Sequence, residues 1–427
     1  MILPFLLLQT AAASPLAIRP DTARPLHDAQ HYDVTLVLGD NGRHVLGQVE
    51  TTWRLRSTEP IQVELDSALR VIRVLVNGRE NTRLFRTMYG RGANDIVIPH
   101  DGKPGDSLAT RIRYHGEVAR GLAFRGSKAK GLAIFGDNWP DRAHGWLALQ
   151  DYPGDKASVA FHVQAPSGYQ VLANGTLQKV DTLPYGHLVW NYQMDRPIPP
   201  YTMVIAVGKF AVTRLPDAAC SVQCVPQTLW TFPEDSAFAV TGPFRRVAAI
   251  VEFYSRLVGP FPYSGLAHVE AVTPYGGMEN ATAIFYNDSL YRARTLAEET
   301  VAHEIAHQWF GDAVTEDDWH HLWLSEGLAT YLAAMWAEQA GGAAALAKVM
   351  RSEAESYFAS AQVERPILDA EVRNLDSLLN ANNYQKGAWV LHQLRSMIGD
   401  SAFVAGLRTY YRRYRDGTAL SEDFAKV

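Results

Sequence analysis

Val301-Ala302-His303-Glu304-Ile305-Ala306-His307-Gln308-Trp309-Phe310-Gly311 is the stretch from which the fold of this chain is read. Helical spacing runs from Leu296 to Phe310, Thr295 and Glu298 have the separation of a capping box, and Gly311 suits the position just past a helix end. The predicted helix carries His303 and His307 four positions apart, which puts both imidazoles on one face where a single cation can bridge them. Two histidines on an amphipathic helix can also be satisfied core residues, so the pair needs a third group before it reads as a metal site.

A catalytic zinc takes three protein ligands and keeps its fourth position for water. Glu326 supplies the third, in the first turn of a second predicted helix that runs from near Leu322 to Gln339 and ends before Gly341-Gly342. A lone glutamate there could serve only the helix dipole, but beside His303 and His307 it completes a ligand set. Two His and one Glu in tetrahedral geometry favour Zn2+, one per chain, over harder cations. Glu304 points to a neighbouring part of the helix face, so it can approach the water without binding the metal. It is the expected general base: zinc lowers the water pKa towards ~7, and Glu304 takes the proton during attack on a carbonyl and delivers it to the leaving amine.

The rest of the chain is consistent with a globular enzyme. Its 427 residues are 47% hydrophobic and 20% charged, which excludes collagen, a disordered tail and a small disulfide scaffold. The net charge of −5 comes without a basic stripe, so nucleic acid is not an expected partner, and no transmembrane segment is predicted. From Tyr32 to Leu215 the pattern is that of strands: Tyr32 to Leu38, Ile61 to Leu65, Val71 to Val76 with an Asn77-Gly78 hairpin turn, Val159 to Val163, Leu188 to Tyr192 and Tyr201 to Val207. After about Pro216 the period becomes helical, with further helices expected at Ala343 to Ala359, Tyr384 to Ile398 and Ser401 to Arg415, and a last one capped by Ser421. The expected class is multidomain α+β, with a β domain over 15–214 and a catalytic domain over 215–427 that is incomplete at its C-terminal end. Residues 1–14, Met1 to Leu8 followed by Ala11-Ala12-Ala13-Ser14, have the apolar core and small-residue site of a secretory signal but no preceding basic residue. Export to the periplasm or medium is the reading, against a misassigned start or a short buried strand. Cys220 and Cys224 lack the partners for a structural zinc site and form one disulfide if the chain is exported, or stay as thiols in a reducing compartment.

Upstream, Gly276-Gly277-Met278-Glu279-Asn280 offers two glycines where a substrate backbone can approach closely, beside a glutamate. Taken with His303, Glu304, His307 and Glu326, this motif resembles the G-x-M-E-N zinc aminopeptidases, the gluzincin family of the aminopeptidase N and leukotriene-A hydrolase type. The resemblance extends to Gly259-Pro260-Phe261-Pro262-Tyr263 and to Trp319 through Tyr331. It implies a saddle-like N-terminal β-sheet domain, a thermolysin-like and mainly helical catalytic domain, and a C-terminal helical domain that is absent or truncated. It further implies that Gly276, Gly277, Met278 and Asn280 help bind the substrate while Glu279 binds its free α-ammonium, with Glu326 assisting. In Asn383-Tyr384-Gln385-Lys386-Gly387, Tyr384 matches the family's oxyanion donor. Asp137, Asn138 and Gln150 are candidates for a polar contribution from the N-terminal domain, and Tyr275 for the side-chain pocket. The expected function is zinc-dependent removal of N-terminal residues from peptides with a free N-terminus. The alternatives are an endopeptidase or epoxide hydrolase on the same scaffold, or an inactive peptide-binding homologue.

Overall fold

A computed structural model describes residues 25–39, 42–81, 85–89, 93–127, 131–221 and 223–427, so the segment read as an export signal lies outside the described residues. Alternation builds the first sheet. In Asp28–Leu38, Tyr32, Val34 and Leu36 are buried while the residues between them are partly exposed. This strand pairs antiparallel with His44–Arg54 and parallel with Ala157–Pro166. The sheet continues through His187–Ile198 and Thr176–Thr182 on one side, and through Ser107–Glu117, Leu69–Val76 and Arg79–Glu80 on the other. Asn77 and Gly78 turn the last hairpin with φ of 48° and 76°, the two positive values a type I′ turn requires. The expected strand Tyr201 to Val207 is strand only from Ile205, because Pro200 opens a 3-10 turn, Pro200–Thr202, that buries Tyr201.

A five-stranded mixed sheet opens the second part, in the order Ala211–Ala218, Val225–Thr231, Leu266–Ala271, Ala283–Asn287 and Gly277–Met278. Its first strand pairs with its second, so a boundary at 214/215 would fall within a strand of this sheet. Cys220 and Cys224 are joined by a disulfide in the connection between those two strands. Gly277–Met278 is the antiparallel edge strand, with no strand on its outer side among the described residues.

The helices follow. The motif helix spans Glu298–His307 and starts without the expected capping box. Ala297 precedes it, because the Glu298 carboxylate accepts instead from Arg246 Nε (2.8 Å) and Trp336 Nε1 (2.9 Å). It also ends earlier than Phe310, since Gln308 and Trp309 turn back onto the carbonyls of Ile305 and Ala306. The long helix, Trp323–Phe358, breaks at Gly342, where φ is 72°, as the paired glycines predict. Gly387–Ile398 and Asp400–Tyr414 come next. Ser421 lies within the last helix, Ser421–Ala425, and is not its cap, because its hydroxyl accepts from Trp323 Nε1 (2.8 Å) while the preceding Leu420 N–H donates to Asp423. Among the described residues no helix is long and apolar enough to cross a membrane.

The two parts meet through polar anchors. Lys156 Nζ, from the N-terminal part, donates to the carbonyls of Asp312 (2.8 Å), Ala313 (2.9 Å) and Gly417 (3.1 Å). Asn174 Nδ2 donates to Ala281 O (2.6 Å), and the Gly175 N–H donates to Thr282 Oγ1 (2.7 Å). Lys156→Met removes a donor from three carbonyls, of which Asp312 O keeps Thr315 Oγ1 and Ala313 O keeps the Asp416 N–H, and is expected to lower unfolding stability by about 1–3 kcal/mol, the scale of a buried group left unpaired. Thermal unfolding checks this, and an unchanged midpoint would show that the contact carries no net stability.

Candidate active site

The motif helix and the first turn of the long helix bring three donor atoms together. His303 Nε2 and His307 Nε2 are 3.0 Å apart, and Glu326 Oε2 lies 3.3 Å from each. A tetrahedral ion with ligands at ~2.0–2.1 Å needs donors separated by about 3.3 Å, so the triangle fits zinc without rearrangement. The second nitrogen of His307 fixes its tautomer. Nδ1 lies 3.1 Å from Phe310 O and 3.0 Å from Ser325 Oγ, and since the carbonyl only accepts, Nδ1 carries the proton and Nε2 keeps its lone pair for the metal. Burial pushes the Glu326 carboxyl up, but His307 and His303 outweigh it and hold it at about 2.

Glu304 and Glu279 are buried beside this triangle, and each offers an oxygen within 4.8 Å of the other and of a His307 nitrogen. Burial drives both carboxyl groups above the usual carboxylate range against the pull of His307. This crowding of buried carboxylates suits a cation. Glu304 owes its place to Gly277, since a Cβ there would lie 2.3 Å from Glu304 Oε1. The edge strand can therefore pass directly over the carboxylate. Gln308 Nε2 donates to Glu279 O (2.7 Å), and the Tyr201 hydroxyl binds the Glu279 carboxylate. Met278 is buried on the edge strand, while the carbonyls of Gly276 and Asn280 accept from Asn287 and Ala283 to shape the turns at its ends.

Tyr384 lies in a single π-helical turn, Asn382–Lys386, ahead of Gly387–Ile398. Such turns are frequent at functional sites because they redirect one side chain without ending the helix. Its ring stacks on His303 (centroids 6.0 Å apart, planes at 14°), and its hydroxyl donates to Glu326. Burial, with Glu326 adding to it, keeps the phenol protonated. The turn comes this close because Gly327 and Gly387 meet backbone to backbone, a Cβ on either lying 2.9 Å from the other's Cα.

These groups line one cavity of about 470 Å³. The polar candidates from the N-terminal part do not reach it. Asn138 is bound to Met203 O (2.7 Å) and Trp146 Nε1 (2.8 Å), Gln150 donates to Asp155 (2.8 Å), and Asp137 pairs with Arg142 (2.7 Å). The N-terminal part reaches the site through Trp139, which lines the cavity edge-on to Tyr275, and through Tyr201. Neither has a short-range sequence signal. Trp139 adjoins the candidate segment but is not polar, and Tyr201 sits in a run that reads as strand.

Comparison with known proteins gives a consistent result. Residues 246–427 match the Peptidase family M1 domain. Leucine aminopeptidase 2 of Coccidioides immitis is 26% identical over 64% of this chain and 45% of its own length. Aminopeptidase N of Streptomyces lividans is 28% identical over 65% of this chain and 34% of its own. The chain thus matches less than half the length of either curated relative. A crystal structure of an M1 zinc metallopeptidase from Deinococcus radiodurans superposes with a TM-score of 0.80 at 25% identity, covering 96% of this chain and 90% of that one.

The contact between Gly327 and Gly387 gives a direct prediction. Gly387→Ala forces the two helices apart and moves Tyr384 away from Glu326, lowering stability by about 1–3 kcal/mol as overpacking does. A denaturant midpoint equal to that of the parent would show that the helices separate freely.

Proposed function

We propose that this chain, whose residues 246–427 belong to the peptidase M1 family, is a zinc-dependent aminopeptidase that removes N-terminal residues from peptides. One observation carries the reading: Glu279, a buried carboxylate held by Tyr201, lies beside the donor triangle without being needed to complete it. A peptide entering along the unpaired edge of Gly277–Met278 can place its α-ammonium on Glu279, where a charge-assisted hydrogen bond holds it. An acylated N-terminus lacks that partner and would leave the carboxylate buried alone. Such an anchor has no use in an endopeptidase, and a cavity walled by carboxylates suits a peptide better than the long apolar chain of an epoxide substrate.

One zinc per chain, held by His303, His307 and Glu326, would act as a Lewis acid on the scissile carbonyl and make water a competent nucleophile near neutral pH. Glu304 takes the proton of the attacking water on its carboxylate and passes it to the leaving amine. Tyr384, held protonated beside Glu326, donates its O–H to the carbonyl oxygen as negative charge builds there. Gly276 and Gly277 let the substrate backbone lie close enough to align the bond. The N-terminal apolar segment and the Cys220–Cys224 disulfide both support an exported protein.

The test is a short peptide offered with a free and with an acetylated N-terminus. Only the free form is expected to be cut, from its N-terminal end, with activity lost to a chelator and restored by zinc. Internal cleavage of both forms would overturn the reading. Glu304→Gln should retain the metal in elemental analysis and lose about 10²–10⁴-fold in kcat, the scale of a removed general base. Parent-like turnover by that variant would remove Glu304 from its role. Glu279→Ala should shrink the preference for a free N-terminus, and an unchanged preference would place the amine elsewhere.

A further inference from the structure

With Glu326 assigned to the metal, Glu304 to the water and Glu279 to the amine, the cavity still contains two carboxylates, Glu299 and Glu353. Among the described residues no lysine or arginine lines it. Both ligand-bearing helices lead away from the metal towards this remaining volume. On the motif helix, Thr300 and Glu299 precede His303 by three and four positions, which puts them about one turn, ~5–6 Å, back along the same face. On the long helix, Thr330 and Ala333 follow Glu326 by four and seven positions, about one and two turns on. Glu353 arrives from beyond the Gly342 break and is hydrogen-bonded to Gln385, the neighbour of Tyr384. Thr330 Oγ1, on the same wall, is buried and finds no hydrogen-bond partner among the described residues. Tyr275, Ala333 and Leu379 supply apolar surface.

A substrate anchored by its amine at Glu279 and by its carbonyl at the metal has only this volume for the side chain of its first residue. We infer that the volume is the first-residue pocket and that Glu353, aided by Glu299, selects a cationic side chain, lysine or arginine. The inference rests on the aminopeptidase reading above. The extended side chain of either residue carries its charge about 6–7 Å from Cα, which matches a pocket one to two helical turns deep. Its apolar stem packs against Tyr275, Ala333 and Leu379, and its donors meet the Glu353 carboxylate and the Thr330 hydroxyl. An apolar first residue leaves the Thr330 hydroxyl without a partner and gives Glu353 none beyond Gln385, and an acidic one meets two like charges.

The experiment measures kcat and KM for arginyl, lysyl, leucyl and glutamyl amides of one fluorogenic amine, using zinc-loaded protein. The arginyl and lysyl amides are expected to exceed the leucyl amide in kcat/KM by about tenfold or more, with the glutamyl amide lowest. In Glu353→Gln the arginyl-to-leucyl ratio should fall about tenfold, mainly through KM. Glu353→Lys should raise the glutamyl amide relative to the arginyl one. Residual leucyl hydrolysis and an intact thermal transition show that the variants fold. A parent enzyme that prefers the leucyl amide, or a ratio unmoved in both variants, overturns the selectivity and leaves the aminopeptidase reading standing. Failure to cleave any of the four amides overturns that reading, and the selectivity falls with it.

Discussion

Three lone pairs, on His303 Nε2, His307 Nε2 and Glu326 Oε2, must point to one spot inside the protein, and their separations of 3.0–3.3 Å are the constraint on which the rest of the structure depends. One helical turn provides the first two without further help. The third comes from a different helix, so two elements must be fixed to within a fraction of an ångström. Ser325, the residue before Glu326, does part of this by placing its hydroxyl 3.0 Å from His307 Nδ1. The same contact that orients the imidazole therefore also sets the first turn of the long helix. The close approach of Gly327 to Gly387 then brings the next helix onto that turn and Tyr384 onto His303. The donor triangle, the helix packing and Tyr384 form one mechanical unit.

A second unit holds the edge strand. The strand Gly277–Met278 pairs on one side only, a liability in most sheets, and here its free side borders the cavity. Just beyond Glu279 the chain passes through Thr282 at φ 65°, a left-handed conformation that a β-branched residue adopts only under constraint. That constraint is visible. The Thr282 N–H donates to Gln308 Oε1 (2.9 Å), its hydroxyl accepts from Gly175, and neighbouring Ala281 is held by Asn174. Gln308 also donates to the Glu279 carbonyl, so the residue directly after the second histidine ties the motif helix to Glu279. The N-terminal part is thus a working half of the site, since Asn174, Gly175 and Tyr201 all act on the segment that carries Glu279.

What the sequence made legible follows from range. His303, Glu304 and His307 interact through a helical period, and the Asn77-Gly78 turn and the Gly342 break depend on neighbouring residues, so each could be read from a short window. The alternation from Tyr32 to Leu38 was equally readable, although the strand itself begins at Asp28. The failures arise where distant partners outcompete local preference. Glu298 has capping-box spacing but spends its carboxylate on Arg246 and Trp336. Tyr201 has a strand-like setting, yet Pro200 and the Glu279 carboxylate turn it inward. Asn138 and Gln150 are polar residues in the right neighbourhood, but they satisfy Met203, Trp146 and Asp155 within the N-terminal part. The pairing of Glu353 with Gln385 joins two helices and leaves no local trace.

Behind the site the structure departs from ordinary packing. Both oxygens of Glu316, Oδ1 of Asp312 and Nδ2 of Asn280 are buried without a protein partner among the described residues. Burial drives the Glu316 carboxyl up to about 8 and that of Asp312 well above its usual range, with the charge of Glu279 adding to both shifts. Unpaired buried polar atoms destabilise a fold, so a layer of them beneath the donor triangle would be selected against if only stability mattered. His307 and Glu279 both act electrostatically on Asp312 and Glu316, so this buried polar layer borders the donor triangle. The anchors from Lys156 attach to the backbone of this same segment, at Asp312 and Ala313. Docking of the N-terminal part therefore supports a segment of the C-terminal part that carries unpaired buried polar atoms.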